Sequence, residues 1–222
     1  WQPAEVCDGS YGQTCDNSGA RCLTACQSSL SGLSNSGCVF WPVALANAGN
    51  EGYDSGSGTP IHAGVRLFVS NPGEQTAHLQ LTDAIASHDL GESADLSPGA
   101  STTFALPASA ATGTEDLHVV DGSSVSYAAF RLESDRPVFV VQFNPAQLSI
   151  ASSDASLLLP ERALGKNHHL LGWPHSTKEV WGELYQHPAG MSIVAVLDNT
   201  RVRIRPSADS TALVVPDWDE DT

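Results

Sequence analysis

Residues 127–174 read YAAFRLESDRPVFVVQFNPAQLSIASSDASLLLPERALGKNHHLLGWP, and the fold class is decided within this stretch. Two apolar runs, AAFRLES and VFVVQF, flank Asp135-Arg136-Pro137, and an apolar LLLP follows a polar SSDAS loop. Short runs punctuated by Pro, Gly and polar residues are strand signals, and LLLPERALG is too short to be read as a helix. The two runs therefore read as a hairpin turning at residues 135–137, where the missing N–H of Pro137 costs no ladder bond. VFVVQF is apolar on both faces up to Gln142, the pattern of a buried inner strand. HHLLGWP reads as a further strand.

Working outward, GVRLFVSNPGEQTAHLQLTD (residues 64–83) alternates on both sides of an NPG turn, with Val65, Leu67 and Val69, then Ala77, Leu79 and Leu81, directed inward. It predicts a hairpin. GMSIVAVLDNTRVRIRPSADS (residues 190–210) alternates around a DNT turn, with Ile193, Ala195, Leu197, Val202 and Ile204 as inward candidates. The similarity of the two stretches predicts an internal repeat and two sandwich modules of like design. GCVFWPVAL opens the first module, and Pro42 places that strand at an edge. The second module stops soon after its opening hairpin. The expected organisation is a Cys-rich cap over residues 1–37, a complete β-sandwich over 38–155, and a partial β module with an acidic tail over 156–222. The fold class is all-β.

The five cysteines, Cys7, Cys15, Cys22, Cys26 and Cys38, fall within one loop-rich segment spaced C-x7-C-x6-C-x3-C-x11-C. Such a segment cannot build a core of its own, and disulfides in an oxidising compartment take that place. An odd count predicts two bridges and one cysteine left over. A zinc knuckle is the weaker reading, because no His lies among these cysteines. The chain opens on Trp1 without an initiator Met, as expected for a processed product whose signal peptide is gone.

Of the 222 residues, 10 are Lys or Arg and 25 are Asp or Glu, for a net charge of -15. That field repels phosphate backbones and anionic lipid, so nucleic acid and membrane surfaces are not expected partners. No apolar run is long enough to cross a bilayer, and no membrane insertion is expected. G-x-S-x-G, H-E-x-x-H and S-x-x-K are all missing, so no catalytic residue and no cofactor is assigned and the chain reads as a non-enzyme.

Several residues could carry binding chemistry. His169, His175, Glu183 and His187 contain metal-ligating groups, yet ordinary surface histidines explain them better, and no metal site is assigned. Neighbouring His168 and His169 would point to opposite faces of a strand. Asp217, Asp219, Glu220 and Asp221 lack the Gly and closing Glu of a calcium loop and read as a frayed tail. Asp154 reads as a turn cap. Trp173, Trp181 and Tyr185 are candidates for a glycan-stacking surface. Arg201, Arg203 and Arg205 would share one strand face, able to meet carboxylates of a neighbouring subunit or an anionic glycan.

GCVFWPV, the paired NPG and DNT turns, FRLESDRPVFVVQFNP, SSDASLLLP, LGKNHHLLGWP and VLDNTRVRIRPS, in that order, resemble the N-terminal domain of IgGFc-binding proteins. More narrowly, they resemble the bacterial secreted members, which carry a Cys-rich segment ahead of such a GCVF run. The resemblance spans roughly residues 37–207 and implies an extracellular or surface-exposed β-sandwich without established catalytic residues. The functional expectation is a secreted or cell-surface protein of adhesion, interaction or extracellular assembly, with a protein partner or self-assembly. A glycan-binding module is the alternative and a hydrolase the remoter one. Leu157, Leu158 and Leu159 are expected to be buried at a seam between the modules.

Overall fold

Phe130–Asn144 forms a single strand of 15 residues, β10, and every other part of the main sheet is placed by it. The computed structural model describes residues 7, 13–15, 22–28, 34–45, 65–83, 89–106, 119–120, 125, 129–144, 154–172, 176–180, 183–187 and 191–206. Before β10 come β1 (Thr14–Cys15), β2 (Cys22–Leu23), the short α1 (Ala25–Ser28), β3 (Gly37–Phe40), β4 (Ala44–Leu45), β5 (Arg66–Ser70), β6 (Ala77–Asp83), β7 (Asp89–Leu96), β8 (Ser101–Ala105) and β9 (Val119–Val120). After it come β11 (Asp154–Leu157), a 3-10 turn at Glu161–Ala163, β12 (Ser176–Val180) and β13 (Glu183–His187). The fold is all-β.

A strand this long serves two arrays. Phe130 to Ser134 pair with β6, and Leu132, Glu133 and Val138 pair with β3. Phe139 to Phe143 then pair with β5, and Val141 to Asn144 with β11. With β7 beyond β6 and β8 beyond β5, the strands form the arrays β7-β6-β10-β3 and β8-β5-β10-β11, which share β10. Asp135-Arg136-Pro137 is therefore a point of partner exchange within one strand and not a hairpin turn. The register against β3 shifts there, between Glu133 and Val138. Pro137 lies between the last rung to β6 and the first to β5, where a missing N–H breaks neither ladder.

The predicted hairpin over residues 64–83 is corrected in the same way. Its alternation holds, since Val65, Leu67, Val69, Ala77, Leu79 and Leu81 are all buried. Its pairing does not, because β5 bonds to β8 and β10 while β6 bonds to β7 and β10. Residues 71–76 form an arch between the arrays, and residues 97–100 form a second arch beside it. Asn71 joins the two. Its Nδ2 donates to the carbonyls of Gln75 and Leu96, both at 2.8 Å, and its Oδ1 accepts from Gly73 N at 2.9 Å. Its own backbone N–H donates to Ala100 O and its carbonyl accepts from Gly99 N. A side chain only 1% exposed is thereby fully satisfied.

One core lies between the arrays. Leu79, Leu81 and Leu96 from one meet Leu67, Val69 and Phe104 from the other, with Phe40, Phe130, Leu132, Val138 and Val140 between them. Burial of each such side chain contributes about 1.5–3 kcal/mol. Gln142 also faces inward and is 7% exposed. Its Nε2 donates to Val43 O at 3.0 Å and its Oε1 accepts from Val43 N at 3.3 Å, so the amide stands in for a backbone rung.

The Cys-rich segment carries two disulfides, Cys7–Cys22 and Cys26–Cys38, and neither includes Cys15. The predicted count of two bridges holds. Arg162 fastens this cap to the sheet, its guanidinium donating to Cys26 O at 2.9 Å and to Ser36 O at 2.5 Å. Glu161 accepts from Trp41 Nε1 at 2.7 Å. Gly37 is needed where it stands, since a Cβ there would collide with the buried ring of Pro160, whose Cγ would lie 2.8 Å away.

The boundary expected at residue 155 falls inside β11, a strand of the main sheet. Leu157 and Leu159 are each 47% exposed and only Leu158 packs partly against the core, which corrects the expected burial of all three. On an edge strand, successive side chains face opposite ways. Residues 168–172 of the predicted HHLLGWP strand, and residues 191–206 of the predicted second hairpin, carry no strand. The DNT turn is present, with Asn199 at φ 57 and Thr200 Oγ1 donating to Leu197 O at 2.6 Å. Its flanks pair with nothing among the described residues. Among the described residues the two stretches do not share a pairing: residues 71–76 form an arch, and residues 191–206 carry no strand. The antiparallel pair β12–β13 was not expected.

Candidate functional site

Two surfaces stand out, and they differ in chemistry. The first lies on the outer face of β6, β7 and β10. His78, Gln80, Ser93, Asp95, Glu133 and Asp135 line a shallow concavity of about 380 Å³. His78 Nδ1 sits 2.6 Å from Asp95 Oδ1, and the His78 backbone N–H donates to Asp135 Oδ1 at 2.8 Å. The hydrogen bond to Asp95, then the charges of Asp135 and Asp95, raise the imidazole pKa above 6.5. Beside it, Arg131 pairs with Glu133 at 2.5 Å and stacks 5.6 Å from the Trp41 ring centroid. On this face His78 bonds both Asp95 and Asp135, and the side chains of the His78–Asp95 pair are 61% and 76% exposed. Pairs so exposed contribute little.

The second surface is apolar. On the outer face of the other array, Phe68, Val141 and Leu157 stand directly opposite one another across β5, β10 and β11. Phe139 and Phe143 flank them on β10, half-buried, and Phe68 is 41% exposed. VFVVQF is thus apolar on both faces because one face meets the core and the other carries this row. Among the described residues eleven large hydrophobics are exposed. Two are Phe68 and Val125; the other nine are Leu157, Leu159, Leu164, Leu170, Leu171, Met191, Ile193, Leu197 and Val202. Singly exposed leucines are ordinary, and nine of these eleven lie between Leu157 and Val202 in the sequence.

The structure places the sequence candidates unevenly. Cys7, Cys22, Cys26 and Cys38 are bridged, and Cys15 pairs its backbone with Cys22 in β1–β2. Arg201, Arg203 and Arg205 are exposed on an unpaired segment, not on a strand face. Tyr185 lies on β13 opposite Lys178, and Glu183 and His187 are the ends of that strand. His169 is exposed, and His168 Nε2 donates to Gly165 O at 2.8 Å. Asp154 opens β11 opposite Asn144, where a turn cap was expected. Trp173, His175, Trp181, Asp217, Asp219, Glu220 and Asp221 lie outside the described residues. Among the described residues no cluster of His, Cys, Asp and Glu has metal-binding geometry, and no helix is long and apolar enough to cross a membrane. The outward row Phe68–Val141–Leu157 was missed, although the double-faced apolarity of VFVVQF signalled it.

The fold is all-β, one seven-stranded sheet wrapped around a core and braced by two disulfides, and nine of the eleven exposed large hydrophobics follow β10 in the sequence. Residues 154–216 match the family described as IgGFc binding protein, which bears out over that stretch the resemblance read from the sequence. The match covers less than half of the chain. No curated protein and no solved structure matches it. The matched stretch begins with β11 and contains all nine of the exposed large hydrophobics from Leu157 to Val202.

Proposed function

We propose that this chain is a secreted, non-catalytic interaction protein of the extracellular space or cell surface, and that residues 154–216 are its partner-facing region. The observation that carries this reading is the gathering of exposed apolar side chains in that stretch, on a chain whose net charge is -15. Exposed apolar surface on a soluble, strongly charged scaffold is the mark of a surface that is covered in use. Two disulfides support an oxidising compartment. The family description, a binding protein, supports binding over catalysis. Arg201, Arg203 and Arg205 are exposed in the same stretch, and arginine is the charged residue most favoured at interfaces.

Surface-binding measurements with the immobilised chain test this reading, using an immunoglobulin Fc fragment and the chain itself as the two analytes. At least one is expected to bind, and substitution of the exposed Leu171 or Leu197 by Asp weakens that binding without moving the unfolding midpoint. Binding of neither, or binding unaffected by both substitutions, contradicts the proposal.

A further inference from the structure

We infer that the Cys7–Cys22 disulfide is an exchangeable bridge, and that Cys15 is placed to take Cys22 from Cys7. The chain has 5 cysteines and two bridges, so it carries one thiol, at Cys15. β1 pairs antiparallel with β2, and Cys15 stands directly opposite Cys22 in that ladder. Directly opposed residues of an antiparallel pair lie about 4.5–5.5 Å apart at Cα, within the roughly 4.4–6.8 Å that a disulfide spans. The existing bridge joins Cys7 to the same Cys22 at a Cα separation of 5.2 Å. Two cysteines thus stand at bridging distance from a third, and only one can hold it. The other bridge has no such rival. Cys38 is buried on β3, and the strand across from it, β10, contains no cysteine. Cys26 Sγ lies 3.7 Å from Ser134 O and 3.3 Å from Asp135 O, against β10, whereas Cys7 and Cys22 are only half-buried.

In the exchange the Cys15 thiol gives up its proton and its sulfur attacks Cys22 Sγ. The Cys15–Cys22 bond forms and the Cys7–Cys22 bond breaks. The departing electron pair stays on the Cys7 sulfur, which takes up a proton. One disulfide and one thiol stand on each side of the reaction, so nothing is oxidised or reduced overall and no external oxidant is needed. Chain entropy sets the two states close together. The bridged positions are 15 apart for Cys7–Cys22 and 7 apart for Cys15–Cys22, and loop closure scales as the 3/2 power of length, a difference of about threefold. The consequence is a thiol that moves from Cys15 to Cys7, and a residue 7 released from its tie to β2.

Disulfide mapping of the folded full chain tests the inference. The chain is held at about pH 8, where thiolate forms, its thiols are alkylated before any unfolding, and bridges and alkyl groups are located by mass spectrometry after digestion in acid. Cys7–Cys22 and Cys15–Cys22 are both expected, within roughly tenfold of each other, with alkyl groups on both Cys15 and Cys7 and Cys26–Cys38 intact. Cys7→Ser is expected to close Cys15–Cys22 and to carry no thiol; Cys15→Ser is expected to keep Cys7–Cys22 and likewise to carry none. Alkylation confined to Cys15, with Cys7–Cys22 the sole link to Cys22 after prolonged incubation, overturns the inference. So does a Cys7→Ser chain that keeps thiols at Cys15 and Cys22 under oxidising conditions. Exchange that also breaks Cys26–Cys38 would be general scrambling and would overturn it too.

Discussion

The guanidinium of Arg162 donates to the carbonyl of Cys26 across 136 positions of sequence, and to Ser36 beside it. The disulfide-bearing cap is thereby held to the turn that follows β11. Replacement by Ala leaves two carbonyls without their charged donor. The expected cost is about 2–3 kcal/mol, read as a lower urea midpoint, with Lys at 162 recovering part of it. An unchanged midpoint would mean that the cap is held by other contacts.

Asn71 is the second structural dependency. Ala at this position leaves the Gln75 and Leu96 carbonyls unpaired within the double arch, and the expected loss is about 2–3 kcal/mol. Asp retains the acceptor for Gly73 N–H but presents oxygen to both carbonyls, so Asn71→Asp should destabilise at least as much as Asn71→Ala at neutral pH. Asp performing as well as Asn would show that the two donated bonds contribute nothing.

The difference between the legible and illegible parts of this fold is local. Alternation named the inward residues of β5 and β6 correctly because side-chain period is a property of each strand alone. Pairing is not local, and a six-residue link with an Asn-Pro-Gly start can close a hairpin or arch between arrays. What decides is Asn71 reaching Leu96, a contact between residues 25 apart. At Asp135-Arg136-Pro137 the turn signals were genuine, but they mark where β10 changes partners. Arg162 and Trp41 looked like any surface residues, since their roles depend on Cys26, Ser36 and Glu161, brought near only by the fold.

A modest pH dependence follows from His78. Its folded pKa is raised, chiefly by the bond to Asp95, so the stabilisation is full below the ordinary value of 6.5 and is lost as pH rises through the folded value. Nuclear magnetic resonance titration of the His78 ring should give a midpoint above 6.5, and Asp95→Asn should lower it. Asp135 acts in the same direction and Arg136 against it, so some elevation remains in that variant. A wild-type midpoint at or below 6.5 would contradict the pairing.

The central claim is that residues 154–158 continue the main sheet beside β10 and that, among the described residues, no strand covers their outer edge. Amide hydrogen exchange along β11 tests it most directly. At low concentration Ser156 and Leu158 are predicted to be protected while Ala155 and Leu157 exchange freely. Uniformly fast exchange at Ser156 and Leu158 would contradict the strand, and Ala155 and Leu157 protected in the dilute monomer would contradict the open edge.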